Sequence, residues 1–269
     1  MDESVSDNGE LRVFWERRLD ADWTASGVGY QALGRPFNDW MYRVRREVFL
    51  REAARLDVDL STARVLDIGS GTGFYIDLWQ HAGAADITGC DLTEAAVLRL
   101  RSKFPGVRFV RADIAEATGA LEPASFDVVS CMDVLFHITD DERYVRALET
   151  ISHVLRPGGT FVLSENFLHR PEQRGAHQVN RTIEWIGDAL SHTGFEVVRR
   201  VPMLVLMNAQ VDAPFPWRKL WGGALRAATL TRPTGWLAGA ALYPIERRLT
   251  RRLTESPTTE LMVCRRRDG

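Results

Sequence analysis

From about residue 63 the chain alternates short apolar runs with longer stretches in which apolar residues recur at helical spacing. "ARVLDIG" reads as a strand, and "FYIDLWQHAG" as a helix stopping at Gly83. "DITGCDL" is a second strand, and "TEAAVLRLRSKFPG" a helix opened by Thr93 and closed before Pro105. "VRFVRADI" and "FDVVSCMDVLF" are the third and fourth strands, and "DDERYVRALETISHVLRPGG" the next helix. "TFVLSENF" is a fifth strand, "RTIEWIGDALSHTG" a helix, and "FEVVRRVPMLVLMN" a strand bending near Pro202. Strands separated by helices of this length predict a doubly wound α/β domain with a parallel sheet.

The ends of the chain depart from this rhythm. Residues 1–10 are small, polar and acidic and read as a disordered tail. Residues 11–60 read as an N-terminal helical cap rich in aromatics, with Met41, Val44, Val48, Ala53 and Leu56 at helical spacing and Asn38 as N-cap. The core runs over 61–208. An insertion rich in Pro, Trp, Ala and Arg occupies 209–256, and "TTELMVCRRR" then supplies a last strand within 257–269.

Composition narrows the function classes. Of 269 residues, 45% are hydrophobic and 26% charged, as in ordinary globular proteins. The net charge of -2 gives no global reason to expect nucleic acid as a partner. The three cysteines, Cys90, Cys131 and Cys264, form no C-x-x-C pair, which argues against a zinc site and a disulfide framework. Nothing else reads as a compact metal-ligand motif. The start is acidic and lacks the apolar stretch of a signal peptide, and no run of about 18 uncharged apolar residues exists. The expectation is a cytoplasmic protein.

"RVLDIGSGTGFY" carries the first chemistry. Gly69, Gly71 and Gly73 alternate with Ser70 and Thr72 where the first strand ends, as in nucleotide-binding α/β folds. Asp91, ending the second strand, can accept hydrogen bonds from two ribose hydroxyls. Both features suit a dinucleotide as well as S-adenosylmethionine. The glycine spacing is G-x-G-x-G, whereas the pyrophosphate fingerprint is G-x-G-x-x-G, and no basic residue follows. That spacing favours the sulfonium cofactor.

With "ITGCDLT", "FVRADI", "FDVVSCMDVLFHI" and "LRPGGTFVLSE" following in order, the chain resembles the class I S-adenosylmethionine-dependent methyltransferases over roughly residues 60–208 plus the last strand. The resemblance implies a Rossmann-like seven-stranded sheet with an antiparallel last strand. It implies S-adenosylmethionine as cofactor and S-adenosylhomocysteine as product. It places Gly69, Ser70, Gly71 and Gly73 in the cofactor turn, with Asp67 supporting it. Asp91 takes the ribose, Leu92 lies against the adenine, Asp113 accepts from its amine, Ile114 adds its backbone, and Met132 faces the cofactor.

The acceptor side is read from residue type and position. His137, past the fourth strand, and His169 and His177, after the fifth, are candidate general bases. Glu165 and Asn166 at the same edge, and Tyr30, Trp40 and Tyr42 in the cap, are candidate substrate contacts. The insertion reads as a lid over a lipophilic acceptor or as a face in peripheral contact with a membrane. The expected function is methylation of a small molecule, by preference at oxygen on a natural product, sugar or lipid-linked acceptor. N- or C-methylation of a lipophilic molecule, and a non-catalytic cofactor-binding regulator, are the alternatives. The oligomeric state is not legible.

Overall fold

A computed structural model describes residues 4–116 and 119–268 of the chain. The cap consists of α1 (Ser4–Ala21), α2 (Ala25–Val28), a 3-10 turn (Gln31–Leu33) and α3 (Gly34–Ala53). The expected disordered tail overlaps α1, which starts at Ser4, while residues 1–3 lie outside the described residues. Asn38 is not the cap of α3. It sits inside the helix, where its amide donates to the Tyr30 and Gly34 carbonyls.

The core then alternates as β1 (Arg64–Ile68), α4 (Phe74–His81), β2 (Asp86–Asp91), α5 (Glu94–Lys103), β3 (Arg108–Arg111) and β4 (Phe126–Met132). A second 3-10 turn (Leu135–His137) leads to α6 (Asp141–Val154) and β5 (Leu155–Asn166). Two short strands, β6 (Gln173–Arg174) and β7 (Val179–Asn180), pair with each other before α7 (Ile183–His192) and β8 (Phe195–Pro202). The chain closes with α8 (Phe215–Ala228), α9 (Arg232–Arg252) and β9 (Thr259–Arg266). Helix starts follow side-chain chemistry: Thr93, Asp140 and Thr182 each accept a first-turn amide of the helix that follows.

The seven strands lie in the order β3-β2-β1-β4-β5-β9-β8, with β9 antiparallel to both neighbours and the pairs from β3 through β5 parallel. Alternation along the central strands sends Val65 and Val128 to one face and Leu66 and Val129 to the other. The first face packs on α3, α4 and α5, the second on α6 and α7. Cys90, Cys131 and Cys264 are buried free thiols. No described helix is long and apolar enough to cross a membrane.

The last expected strand before the insertion stops at Pro202 for a definable reason. The backbone N–H groups of Val205, Leu206 and Met207, which would continue a ladder, donate to the buried Glu246 carboxylate on α9. The insertion is thereby tied to the core by three backbone donors. It is also seated on the cap: a Cβ on Gly239 of α9 would come within 2.4 Å of the Trp40 ring, so only glycine permits this approach to α3.

Candidate active site

The site forms at the carboxyl edge of the sheet above the paired strands β1 and β4, where the strand order reverses, the usual ligand position in such sheets. Gly69 leaves β1 with φ +71°, and a Cβ there would lie 2.2 Å from Val134 Cγ2. Its N–H and that of Ser70 both donate to the Cys90 carbonyl, at 2.7 and 3.0 Å. At Gly71 the nearest atom to a Cβ is Val28 Cγ1 at 3.4 Å, so this backbone lies open to the pocket. The first glycine is demanded by the protein's own packing; the second leaves room for a ligand.

Asp91 organises the turn. Its Oδ1 accepts from the Thr93 N–H and hydroxyl, and its Oδ2 from the Gly71 N–H at 2.8 Å. A carboxylate has about four acceptor positions, so Oδ2 keeps room for one further donor such as a ribose hydroxyl. Burial pushes its carboxyl above the ordinary range. Asp113 accepts from the Ala115 N–H on Oδ1 and pairs with Arg143 through Oδ2 at 2.7 Å. Leu92, Ile114, Met132 and Ser70 complete this wall.

Two residues of the expected cofactor set stand behind the pocket. Gly73 packs on Phe104 and Leu100. Asp67 is buried in the core, with Oδ1 accepting from Ser130 Oγ at 2.7 Å and Oδ2 without a partner. Burial pushes its carboxyl up to about 7.

The opposite wall comes from the cap. Leu11, Trp15 and Leu19, spaced four residues apart on α1, line the pocket with Val28 and Tyr42 of the cap, and Phe74 and Tyr75 of α4 adjoin them. Arg45 of α3 is buried and ion-paired with Asp133, which also accepts from Ser164 Oγ at 2.9 Å. Asp133 follows β4 with φ +58°, a left-handed conformation that a short polar side chain tolerates. Burial pushes the Tyr42 phenol up to about 12, so it is a neutral donor.

Of the three candidate bases, His137 alone lines the pocket. Its ring meets Trp15 edge to face at 4.9 Å. Nδ1 lies 2.7 Å from the His177 carbonyl. A carbonyl can only accept, so Nδ1 carries the proton and Nε2 the lone pair. Burial lowers its pKa to about 4, which keeps the ring neutral.

The other expectations are corrected by the packing. The His177 ring stacks on Phe14 at 4.5 Å, and His169 is held by Asp212 at 2.9 Å on the surface. Glu165 is buried beneath the site and accepts from the Tyr144 hydroxyl at 2.5 Å; burial pushes its carboxyl up to about 7. Asn166 donates to Asn180. Tyr30 is exposed, and Trp40 faces away, against Trp236 and Tyr243 of α9. Only Tyr42 of the five expected substrate contacts lines the pocket, and nothing from 209–256 does. The covering element is α1, whose Leu11-Trp15-Leu19 stripe is legible in the sequence; the Arg45–Asp133 pair has no local signal.

Residues 65–159 match the family model described as a methyltransferase domain. A ubiquinone biosynthesis O-methyltransferase from Ralstonia nicotianae is 41% identical over 124 residues, 43% of this chain and 50% of that protein. One from Paraburkholderia phymatum is 42% identical over 103 residues, 37% of this chain and 43% of that protein. The matches thus span half or less of these relatives. An S-adenosylmethionine-dependent methyltransferase from Leishmania major shares the fold with TM-score 0.64 at 16% identity, covering 98% of this chain and 85% of that one. The cyclase SpnF shares it with TM-score 0.54 at 18% identity, covering 82% and 80%.

Proposed function

We infer, for a chain whose core belongs to the class I S-adenosylmethionine-dependent methyltransferases, that it is an enzyme methylating a hydroxyl of a small, apolar, ring-bearing acceptor. The observation that carries this reading is His137, which lines a pocket walled by Trp15, Phe74, Tyr42 and Tyr75 and whose Nδ1 is committed to the His177 carbonyl, leaving the neutral Nε2 as its free acceptor. Those walls suit a phenol or a lipid-linked ring better than a bare sugar, whose hydroxyls need more polar partners. The O-methylation named for the ubiquinone-pathway relatives supports the same acceptor atom.

The donors and acceptors present fit the cofactor. Gly71 offers open backbone, Asp91 Oδ2 a spare acceptor position, and Asp113 and Ile114 line the same wall. S-adenosylmethionine supplies an electrophilic methyl group when bound. The chain's own residues orient the acceptor and exclude water, the latter through α1. On transfer His137 Nε2 would take the proton of the acceptor hydroxyl, while the methyl group's C–S bond would break, leaving S-adenosylhomocysteine. The depressed pKa of His137 keeps the ring neutral beforehand, as a proton acceptor must be.

The test is methyl transfer from labelled S-adenosylmethionine to a panel of phenols, alcohols and amines, with the His137→Ala variant alongside. Phenol methylation that falls roughly 100-fold or more in the variant, with cofactor affinity retained, is the expected result. Turnover of amines alone, or cofactor binding without turnover of any acceptor, would overturn the reading.

A further inference from the structure

The insertion that fails to cover the pocket has a surface of its own. Among the described residues, thirteen large apolar side chains are exposed, and eight of them lie between Phe215 and Leu253. Helix α8 buries only Leu225 fully and anchors Trp221 by an indole N–H bond to the Leu206 carbonyl at 2.7 Å. Turned outward at helical spacing are Trp217, Leu220, Ala224 and Ala227, with Leu220 67% exposed. Lys219 and Arg226 flank that stripe. On α9, Leu237, Ala241 and Ile245 face outward and give way to Arg248 and Arg252.

The charge on this hairpin has one sign. Residues 213–253 hold eight arginines and lysines and a single carboxylate, Glu246, although the whole chain carries -2. Glu246 is buried and committed to the 205–207 amides. Arg247 pairs with Glu47 of α3 at 2.6 Å, with Arg251 also near it. Among the described residues, Arg218, Lys219, Arg226, Arg232, Arg248 and Arg252 have no carboxylate partner. A recess on α9 is lined by Pro244, Arg247, Arg248, Arg251 and Arg252.

Three occupants could cover exposed apolar and cationic side chains together, and two fit poorly. A two-fold contact with a second copy would set the same cations against each other. A nucleic acid would satisfy the arginines but leave Leu220, Leu230, Leu237 and Ile245 in water. An anionic bilayer satisfies both, because acyl chains accept the apolar stripe while headgroup phosphates meet the arginines.

We propose that the α8–α9 hairpin is a peripheral docking surface for anionic lipid membranes, with Trp217, Leu220 and Leu237 at the acyl boundary and the arginines on lipid phosphates. It stands independently of the acceptor assignment. It also has a functional consequence: α9 packs on the outer side of α3, whose inner side carries Tyr42 and Arg45, so docking holds the pocket one helix away from a reservoir of lipophilic molecules.

The experiment is flotation of the full chain with phosphatidylcholine vesicles, with and without phosphatidylglycerol, at low and high salt. Association only with phosphatidylglycerol vesicles, weakened by salt, is expected. Trp217→Ser combined with Leu220→Ser, and separately Arg248→Glu combined with Arg252→Glu, should each lower partitioning roughly tenfold or more. Cofactor affinity, measured by calorimetry, stays at the wild-type value in both and shows that the fold is intact. Absence from phosphatidylglycerol vesicles, or equal partitioning of the variants, overturns the proposal. Tighter binding to duplex DNA, or a dimer in sedimentation that the Trp217/Leu220 variant abolishes, also overturns it by naming another occupant.

Discussion

Arg45 of α3 and Asp133 at the end of β4 stand 88 residues apart in sequence and form an ion pair at the pocket wall. The pair bolts the cap onto the sheet, since Arg45 is 8% and Asp133 25% exposed at the side chain. Asp133→Asn keeps the left-handed backbone tolerable and can still accept from Ser164, but leaves the guanidinium buried without a counter-charge. It is expected to destabilise the protein by about 3 kcal/mol in urea unfolding, and Arg45→Met combined with Asp133→Asn by less. Equal losses would show that the pair's charge is immaterial.

Asp91 holds the turn and keeps a spare acceptor position at the pocket. Asp91→Ala removes the acceptor of the Gly71 N–H and the spare position at Oδ2. Its affinity for S-adenosylmethionine should fall by about 1.5–3 kcal/mol in calorimetric titration. His169→Ala, on the surface with Asp212, should leave affinity and turnover at wild-type values.

The first two glycines of the turn predict opposite outcomes. Alanine at Gly69 meets Val134 at 2.2 Å and carries φ +71°, so Gly69→Ala should lower the melting temperature sharply. Gly71→Ala has its nearest contact at 3.4 Å, and its backbone conformation costs about 1–2 kcal/mol. It should remain folded and lose cofactor affinity. Thermal melts with calorimetry on both variants distinguish a packing glycine from a ligand-side one.

Burial raises the Asp67 carboxyl to about 7, against about 3.9 in an unfolded chain. The folded state therefore holds the proton more tightly. Its stabilising share is fully present below about pH 4 and is lost as pH rises towards 7. His137, lowered to about 4, acts in the other direction: its share is present above the unfolded imidazole value and is lost as pH falls towards 4. Because Asp67→Asn removes only the first, the variant's stability should fall less with rising pH over this window than the wild type's. Urea midpoints at successive pH values measure it, and identical slopes would mean that Asp67 ionises freely.

The alternation of apolar runs and helical stretches determined the sheet, because each element's period is written in contiguous residues. The placement of Gly69, Gly71, Asp91 and Asp113 at the pocket was legible for the same reason: strand ends deliver them to one edge whatever the rest of the chain does. The acceptor side was not. His137, His169 and His177 look alike in sequence, and only the packing of Trp15 and the His177 carbonyl distinguishes the first. Glu165 follows an apolar strand as Asp91 does, yet Tyr144 takes it into the interior. Which helix covers the pocket was decided by long-range contacts that seat α1 on α5, the Glu94 N–H to Glu16 and Arg99 to the Leu19 carbonyl, while Arg45 to Asp133 and α9 to α3 fixed the rest of the cap. Such contacts join residues far apart along the chain, so no local pattern announces them.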